Sequence, residues 1–263
     1  MHNRNDNERP DLERRAFFGK SALAASVATI APGVLLTVAR ASEEEEEGEG
    51  ASSENRWGLL IDANRCADGC DACVSACDEW NGIDLLQKPE GESDEMWAQQ
   101  KPRWIRKVVL KDTQTGVITN LPLMCQHCEH PPCVDVCPTG ASFKRADGIV
   151  MVDRHICIGC RYCMMACPYK ARSFNHAEVE EQVARAPRGK GCVEACNLCA
   201  SKIDAGEGNT ACAEACAAEG HHAILFGDLN DPGSAISRAL QQTVSRQLRA
   251  DLELNTGVRY KNV

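Results

Sequence analysis

Aromatic residues and positive charge are both scarce in this chain of 263 residues. Phe, Trp and Tyr make up 5% of the sequence, which is a thin supply of large side chains for a core of this length. The 29 lysines and arginines are outnumbered by 38 aspartates and glutamates, so the formal net charge is −9. Nucleic-acid binding needs concentrated positive charge, and this balance argues against it.

The common signatures of nucleotide-binding and hydrolytic enzymes are also missing. No G-x-G-x-x-G follows a strand-like run, no P-loop occurs, and no order of serine, histidine and acid indicates a hydrolase. We therefore predict that the chain has no substrate site of its own. Cysteine, in contrast, is abundant with 17 residues. That number indicates disulfides in an exported protein or metal sites in a cytosolic one.

Two cysteine blocks occupy the middle of the chain. The second has the spacing C-x2-C-x2-C-x3-C-P, with which bacterial-type ferredoxins hold a [4Fe–4S] cluster, and the first has a longer gap before its third cysteine. In two-cluster ferredoxins the fourth cysteine of each run binds the cluster of the other run. The blocks are Cys125, Cys128, Cys133 and Cys137-Pro138, followed by Cys157, Cys160, Cys163 and Cys167-Pro168. Eight cysteines in this order predict two crossed clusters.

Two further blocks flank the central pair and predict two further clusters. The first has the spacing C-x3-C-x2-C-x3-C and the last has C-x2-C-x12-C-x3-C. They comprise Cys66, Cys70, Cys73 and Cys77, and then Cys196, Cys199, Cys212 and Cys216. Cys192 is surplus, and together with Cys196 and Cys199 it repeats the spacing at the start of the first block. We expect Cys196 to be the ligand and Cys192 to be a free or packing thiol.

Other ligand chemistries are possible at these blocks. The last block, with two knuckles well apart in sequence, also suits a structural zinc ion. Disulfides fit the tight cysteine spacings less well than clusters do. The nearby histidines and the cations Lys144, Arg145 and Arg161 are expected to be solvated or to surround the ligands, where charge and hydrogen bonds tune a cluster's potential. The histidines are His127, His130, His155, His221 and His222.

The N-terminus has the features of an export signal. Arg14-Arg15 opens a stretch that resembles the twin-arginine motif, an uncharged run covers 21–39, and Ala39-Arg40-Ala41 fits a signal-peptidase site. We predict a signal peptide over 1–41, and then an acidic leader over 42–55. The uncharged run is also close to the length of a membrane span, so an uncleaved anchor stays open. Either outcome places the body of the protein outside the cytoplasm.

The remaining segments predict short elements between the blocks. A β-hairpin is expected from Ile105–Leu110 and Gly116–Leu121, and loops are expected for Asp84–Arg103 and for a polar linker over Phe174–Gly189. Whether the segment after Phe226 lies on the body or on a partner stays open. Three single strands are expected at Trp57–Asp62, Ile149–Asp153 and Ala223–Phe226, and helical periodicity occurs around Ala235–Leu248.

The sequence from Trp57 to Asp231 resembles the four-cluster ferredoxin-type subunits of membrane-linked respiratory complexes. This family includes the β subunits of polysulfide, dimethyl sulfoxide, tetrathionate and nitrite reductases. The resemblance rests on the four blocks, and above all on the stretches Cys125–Cys133 and Cys157–Tyr169. It implies an α+β fold of two bacterial-ferredoxin-like units, each holding two [4Fe–4S] clusters, with one unit inserted in the other and extra loops. The implied boundaries are 56–120 plus 190–226 for the outer unit, 121–189 for the inner unit and 227–263 for a C-terminal arm.

The resemblance also implies four ligand sets. In the inner unit they are Cys125, Cys128, Cys133 and Cys167, and Cys157, Cys160, Cys163 and Cys137. In the outer unit they are Cys66, Cys70, Cys73 and Cys216, and Cys196, Cys199, Cys212 and Cys77. The chain departs from the family pattern at Asp78 and Ala217, where proline would follow the fourth cysteine, and in the extra residue between Cys66 and Cys70.

The implied function is electron transfer rather than catalysis. The chain would be a periplasmic subunit that relays single electrons between an integral membrane quinone-reactive subunit and a periplasmic multihaem cytochrome c, in dissimilatory sulfur metabolism. It would then be attached to the membrane through its partners. One alternative is the β subunit of an exported molybdopterin oxidoreductase, and another is a zinc-bearing interaction module.

Overall fold

The computed structural model describes residues 51–263, in which short strands and short helices alternate. The predicted signal peptide and residues 42–50 of the predicted leader lie outside the described residues. The strands are β1 (Trp57–Asp62), β2 (Arg106–Lys111), β3 (Ile118–Leu123), β4 (Ser142–Lys144), β5 (Val150–Val152), β6 (Ser173–Phe174), β7 (Val193–Glu194), β8 (Ile224–Asp228) and β9 (Val258–Lys261). The helices are α1 (Ala72–Trp80), α2 (Asp94–Gln100), α3 (Pro132–Asp135), α4 (Tyr162–Ala166), α5 (Ala200–Asp204), α6 (Ala211–Ala218) and α7 (Ala235–Gln242).

A three-stranded sheet joins the two ends of the described chain. Its middle strand, β1, pairs antiparallel with β8 and parallel with β9. Leu59 and Ile61 on β1 are completely buried, as expected for a strand with neighbours on both sides. The strand predictions at Trp57–Asp62 and near Ala223–Phe226 are confirmed, and the second strand begins and ends slightly later than predicted.

Residues 51–263 also contain three two-stranded antiparallel sheets: the hairpins of β2 with β3 and of β4 with β5, and the pair of β6 with β7, which are further apart in sequence. The hairpin predicted near residue 113 is confirmed, with each strand displaced by one or two residues. Its turn is held by the Asp112 carboxylate, which accepts hydrogen bonds from the N–H groups of Gln114 at 2.7 Å and Thr115 at 3.1 Å. Aspartate at this position is a common way of closing a turn.

The loop predicted for Asp84–Arg103 is partly wrong, because α2 lies inside it. The Ser93 hydroxyl caps this helix by accepting a hydrogen bond from the Met96 N–H at 3.1 Å. Asp94 and Glu95 in the first turn add the favourable interaction of negative charge with the helix N-terminus. None of the residues of α2 is fully buried, but Trp97 is half-buried against the core, so local capping and this contact together explain the helix.

The C-terminal segment lies on the body of the protein. Strand β9 extends the central sheet, and Tyr260 on it is fully buried. The Tyr260 hydroxyl donates to the Pro122 carbonyl at 3.2 Å and accepts from the Gln126 amide at 3.0 Å. Helix α7 also contacts the body, through the fully buried Ile236, but it ends at Gln242, earlier than the predicted periodicity. The sequence had left this placement open.

Replacing Tyr260 by alanine should therefore destabilise the whole fold. We expect the free energy of unfolding to fall by about 3–5 kcal/mol, the range for removing a large buried aromatic side chain, because the neighbouring side chains cannot fill the cavity that is left. Denaturant-induced loss of the cluster absorbance would measure it. Val244→Ala is the control, since Val244 is 85% exposed and its removal should have little effect. Equal stability of the two variants would show that the C-terminal strand is not part of the folded unit.

Candidate iron–sulfur centres

One buried cavity brings the first cysteine block against the last. It is lined by four thiols, and the other lining residues include Trp104, Ile105 and Leu198. The four cysteines are Cys77, Cys196, Cys199 and Cys212. Cys77 lies on α1 and Cys212 lies on α6, and these two helices pack against each other. Two polar side chains reach the sulfur atoms: the Asn81 amide donates to Cys77 Sγ at 3.6 Å, and the Thr210 hydroxyl lies 3.4 Å from Cys212 Sγ.

A second cavity contains the remaining cysteines of the same two blocks. It is lined by Cys66, Cys70, Cys73 and Cys216. The Ala223 N–H donates to Cys216 Sγ at 3.2 Å, and the Lys107 ammonium donates to the carbonyls of Ala67, at 3.0 Å, and Cys70. The extra residue of this block is accommodated at Gly69, which has a φ of 69° and open space around it. A left-handed turn there lets the longer loop still close around the cavity.

The first central block meets the last cysteine of the second block. Burial, together with repulsion from three neighbouring thiols, raises the pKa of the Cys128 thiol to about 12. Those neighbours are Cys125, Cys133 and Cys167. Each of these four residues is 7% exposed, so the set is enclosed.

The second central block forms the set closest to the surface. Burial raises the pKa of the Cys163 thiol, Arg172 opposes that rise, and the neighbouring thiols of Cys157 and Cys137 add to it. The N–H groups of Ser142 and Val193 donate to the sulfurs of Cys137, at 3.3 Å, and Cys157, at 3.5 Å. Cys160, in the loop between Cys157 and Cys163, is exposed to solvent.

The described thiols suit clusters that fill a cavity. Within residues 51–263, no group of three or more His, Cys, Asp or Glu side chains is placed to hold a single metal ion. Eight of the cysteines instead surround two cavities whose other walls are largely apolar. A [4Fe–4S] cluster takes four thiolates, one for each iron atom, and such donor sets fit it.

Cys192 lies apart from the two cavities that contain cysteines. Its thiol donates to the Arg154 carbonyl at 3.3 Å and is 3.8 Å from the Cys157 carbonyl. Cys196, in contrast, lines the cavity with Cys77. The geometry favours the predicted choice of Cys196 as the ligand, which stays a prediction.

Serine substitutions separate the two cysteines. We expect Cys192→Ser to keep about 16 iron atoms per chain, and Cys196→Ser to lose one cluster and retain about 12, because only the second thiol faces a cavity. Iron and acid-labile sulfide analysis of anaerobically purified protein measures both. Each variant is the control for the other, since the same atom is exchanged four residues apart. The reverse result would exchange their roles.

His127 is the one buried member of the five histidines near the blocks. Its Nδ1 accepts a hydrogen bond from the Val150 N–H at 3.0 Å, so in the neutral ring the proton is on Nε2. Burial and the nearby Arg172 lower the pKa of His127 to about 3, so the ring is uncharged at neutral pH. It holds β5 against the first central block without adding charge.

The cations named from the sequence are not those that reach the sulfur atoms. Lys144 donates to the Glu129 carbonyl at 2.9 Å, Arg145 is paired with Asp147 and Asp204, and Arg161 stacks on a phenylalanine ring. Arg172 was missed, although its Nη2 donates to Cys133 Sγ at 3.1 Å. Its place four residues beyond Cys167-Pro168 was the only sequence signal for it.

No helix of residues 51–263 has both the length and the apolar character needed to cross a bilayer.

Comparisons with known proteins identify relatives that are iron–sulfur proteins. The family described as "4Fe-4S dicluster domain" matches residues 116–228. The Hdr-like menaquinol oxidoreductase iron–sulfur subunit 1 of Archaeoglobus fulgidus is 37% identical, over 95% of this chain and 97% of the relative. A tetrathionate reductase subunit of Salmonella typhimurium is 35% identical, over 88% of this chain and 80% of the relative. Protein NrfC of Escherichia coli is 38% identical, over 71% of this chain and 72% of the relative. The chain therefore belongs to the family of iron–sulfur electron-transfer subunits of membrane oxidoreductases, and it holds four [4Fe–4S] clusters.

Proposed function

We propose that this chain relays single electrons between a quinone-reactive subunit in the membrane and a redox partner in the periplasm. The observation that carries the proposal is the meeting of the first and last cysteine blocks in two four-thiol cavities. Bound [4Fe–4S] clusters supply one-electron chemistry. The residues of the chain hold them, shield them from water and set their potentials.

The ligand sets we propose are the four implied by the family resemblance. Both outer sets have their own cavity, and in the central blocks the thiols that raise the pKa values of Cys128 and Cys163 belong to the same inner set as the cysteine they affect, although Cys163 also raises the pKa of Cys133 across the two sets. The packing of α1 on α6 and of α3 on α4 supports an outer unit, 56–120 with 190–226, into which an inner unit, 121–189, is inserted. Crossed pairing joins sequence-distant blocks, so each unit depends on both of its halves.

The surface around Cys160 suits electron exchange with a partner. Cys160 is exposed, and Ile158, Tyr162 and Met165 beside it are 66%, 58% and 74% exposed. Buried clusters are insulated from a partner, whereas one near an apolar surface can be approached closely by another protein. We assign one end of the relay to this set.

The proposed position within the family is that of DsrO, the periplasmic iron–sulfur protein of the Dsr membrane complex in sulfur metabolism. Its support is the resemblance over Val134–Phe174 and Leu252–Tyr260, together with the predicted twin-arginine signal. A relative named as a menaquinol oxidoreductase subunit fits a quinone-linked role. The partners would be an integral membrane quinone-interacting subunit and a periplasmic multihaem cytochrome c.

A second candidate is the β subunit of an exported molybdopterin oxidoreductase. The similarity to the tetrathionate reductase subunit favours it. Purification of the intact complex distinguishes the two, because haem c would accompany the chain in the first case and molybdenum in the second. A complex with molybdenum and no haem c would replace the DsrO proposal, and the relay itself would stand.

Iron and acid-labile sulfide per chain test the relay directly. Four clusters predict about 16 atoms of each in anaerobically purified protein. About 12 iron atoms with one zinc ion would instead mean that one block is structural, and the spacing of the last block fits zinc best. The relay would then be shorter than proposed. Iron far below 12, with no visible cluster absorption, would contradict electron transfer altogether.

A further inference from the structure

Arg172 is a buried cation between the two central cysteine blocks. The residue is 5% exposed, and its Nη2 donates to Cys133 Sγ at 3.1 Å. The positive charge of the same guanidinium also opposes the rise in the pKa of the Cys163 thiol that burial causes, so this thiol lies near it. No carboxylate of residues 51–263 forms an ion pair with it, and its Nε and Nη1 have no acceptor among those residues.

A buried charge without a partner is strongly unfavourable, so the positive charge of Arg172 must be balanced locally. The thiols of Cys133, Cys125 and Cys163 are the groups whose negative charge raises the pKa of Arg172. As thiolates these would supply the balancing negative charge, and the two free nitrogens leave N–H donors for further sulfur acceptors. Cys133 and Cys163 belong to different proposed ligand sets, and the guanidinium contacts the first set at Cys133 and lies near the second at Cys163.

We propose that Arg172 is a positioning charge that raises the reduction potentials of both inner clusters together. The inference rests on the proposed ligand sets. Reduction adds one negative charge to a cluster, and a fixed positive charge at the ligand sulfur stabilises the reduced state more than the oxidised one. Because Arg172 is buried, solvent and salt screen this effect little.

Other cations in the same cavity provide a contrast. Lys101, Arg103, Arg106 and Lys170 line the cavity that Arg172 also borders. Arg103 and Lys170 are exposed, and Arg106 donates to the Tyr169 carbonyl at 3.0 Å. Removing the charge of Lys170 changes the net charge of the cavity as much as removing that of Arg172, but only Arg172 contacts sulfur. The comparison therefore separates a specific effect at the ligands from a general effect of charge.

The test is a potentiometric titration of the full chain, followed by electron paramagnetic resonance and visible absorption. In Arg172→Gln we expect two of the four clusters to become harder to reduce by at least about tenfold in equilibrium constant, which is ~59 mV for a one-electron couple. The other two should keep their potentials. Lys170→Gln should leave all four within about threefold of the wild type, and Arg172→Lys, which keeps the charge, should restore most of the loss.

Three outcomes would overturn the inference. The first is that all four reduction potentials are unchanged in Arg172→Gln. The second is that Arg172→Gln and Lys170→Gln shift the potentials equally, and the third is that Arg172→Lys lowers them as much as Arg172→Gln does. If Arg172→Gln loses iron, Arg172→Lys decides, since retained charge should keep both inner potentials close to those of the wild type. If the wild-type protein has about 16 iron atoms and the variants show no shift in potential, only the role of Arg172 is rejected. Wild-type protein without clusters would reject the proposed function itself.

Discussion

Glu194→Ala should be the most destabilising single substitution of a charged residue in the described chain. The Glu194 carboxylate accepts from Arg188 Nε at 2.9 Å and Nη2 at 2.8 Å, and from the Trp104 indole N–H at 3.1 Å. The side chains of Glu194 and Arg188 are 0% and 2% exposed. Removing the carboxylate leaves a buried guanidinium without its counterion, which costs about 3–5 kcal/mol. The free energy of unfolding of a natural domain is about 5–15 kcal/mol in total, so this loss would be severe.

The effect should also reach a cluster. Trp104 lines the cavity with Cys77, Cys196, Cys199 and Cys212, and Glu194 precedes that block by two residues. We expect the outer cluster in this cavity to be released first when Glu194→Ala is titrated with denaturant. Visible absorbance and the iron content of the protein would measure that release.

An exposed ion pair of the same type is the control. Glu178 accepts from Lys190, and their side chains are 74% and 54% exposed. Exposed pairs contribute about 0–1 kcal/mol, so Glu178→Ala should unfold almost like the wild type. If the two variants were equally stable, the buried network would not support the fold as its geometry indicates.

The local elements near the cysteines could be predicted because their signals lie in short stretches. A short apolar run at Trp57–Asp62 and turn-forming residues from Asp112 to Thr115 were sufficient for β1 and the β2–β3 hairpin. The four blocks were visible because cluster ligands must be closely spaced along a loop. The grouping of the blocks came from the family resemblance, since spacing alone does not say which fourth cysteine joins which set.

The tertiary contacts around the site could not be predicted. Phe174–Gly189 reads as a polar linker, yet Asn175 and Ala177 within it are fully buried and Arg188 is in the buried ion pair. The Asn175 amide donates to the Gly189 carbonyl at 3.1 Å and Arg188 pairs with Glu194, and no hydropathy pattern in the segment records such partners. Arg172 was missed for the same reason, and the addition of β9 to the central sheet depends on pairing across nearly 200 residues.

Gly159→Ala is expected to remove the inner cluster closest to the surface. Gly159 lies between Cys157 and Cys160 with a φ of 70°, which side chains adopt only with strain. An added Cβ would also overlap the Gly191 carbonyl oxygen and lie 3.2 Å from the Phe174 ring. The backbone next to Cys192 cannot move away without disturbing the β6–β7 pair, so the loop must shift, and with it Cys157 and Cys160.

Gly140→Ala isolates the steric part of this effect. Gly140 has nearly the same φ, 71°, and follows Cys137 in the same proposed ligand set, but an added Cβ would meet nothing within 4 Å. In that variant the left-handed backbone should lower the free energy of unfolding by only about 1–2 kcal/mol. It should keep about 16 iron atoms, whereas Gly159→Ala should retain about 12. Iron analysis and the count of clusters in a redox titration measure the difference. Equal iron in both variants would mean that the contact with Gly191 does not position this ligand loop, because backbone strain is common to the two glycines and only one of them meets another segment of the chain.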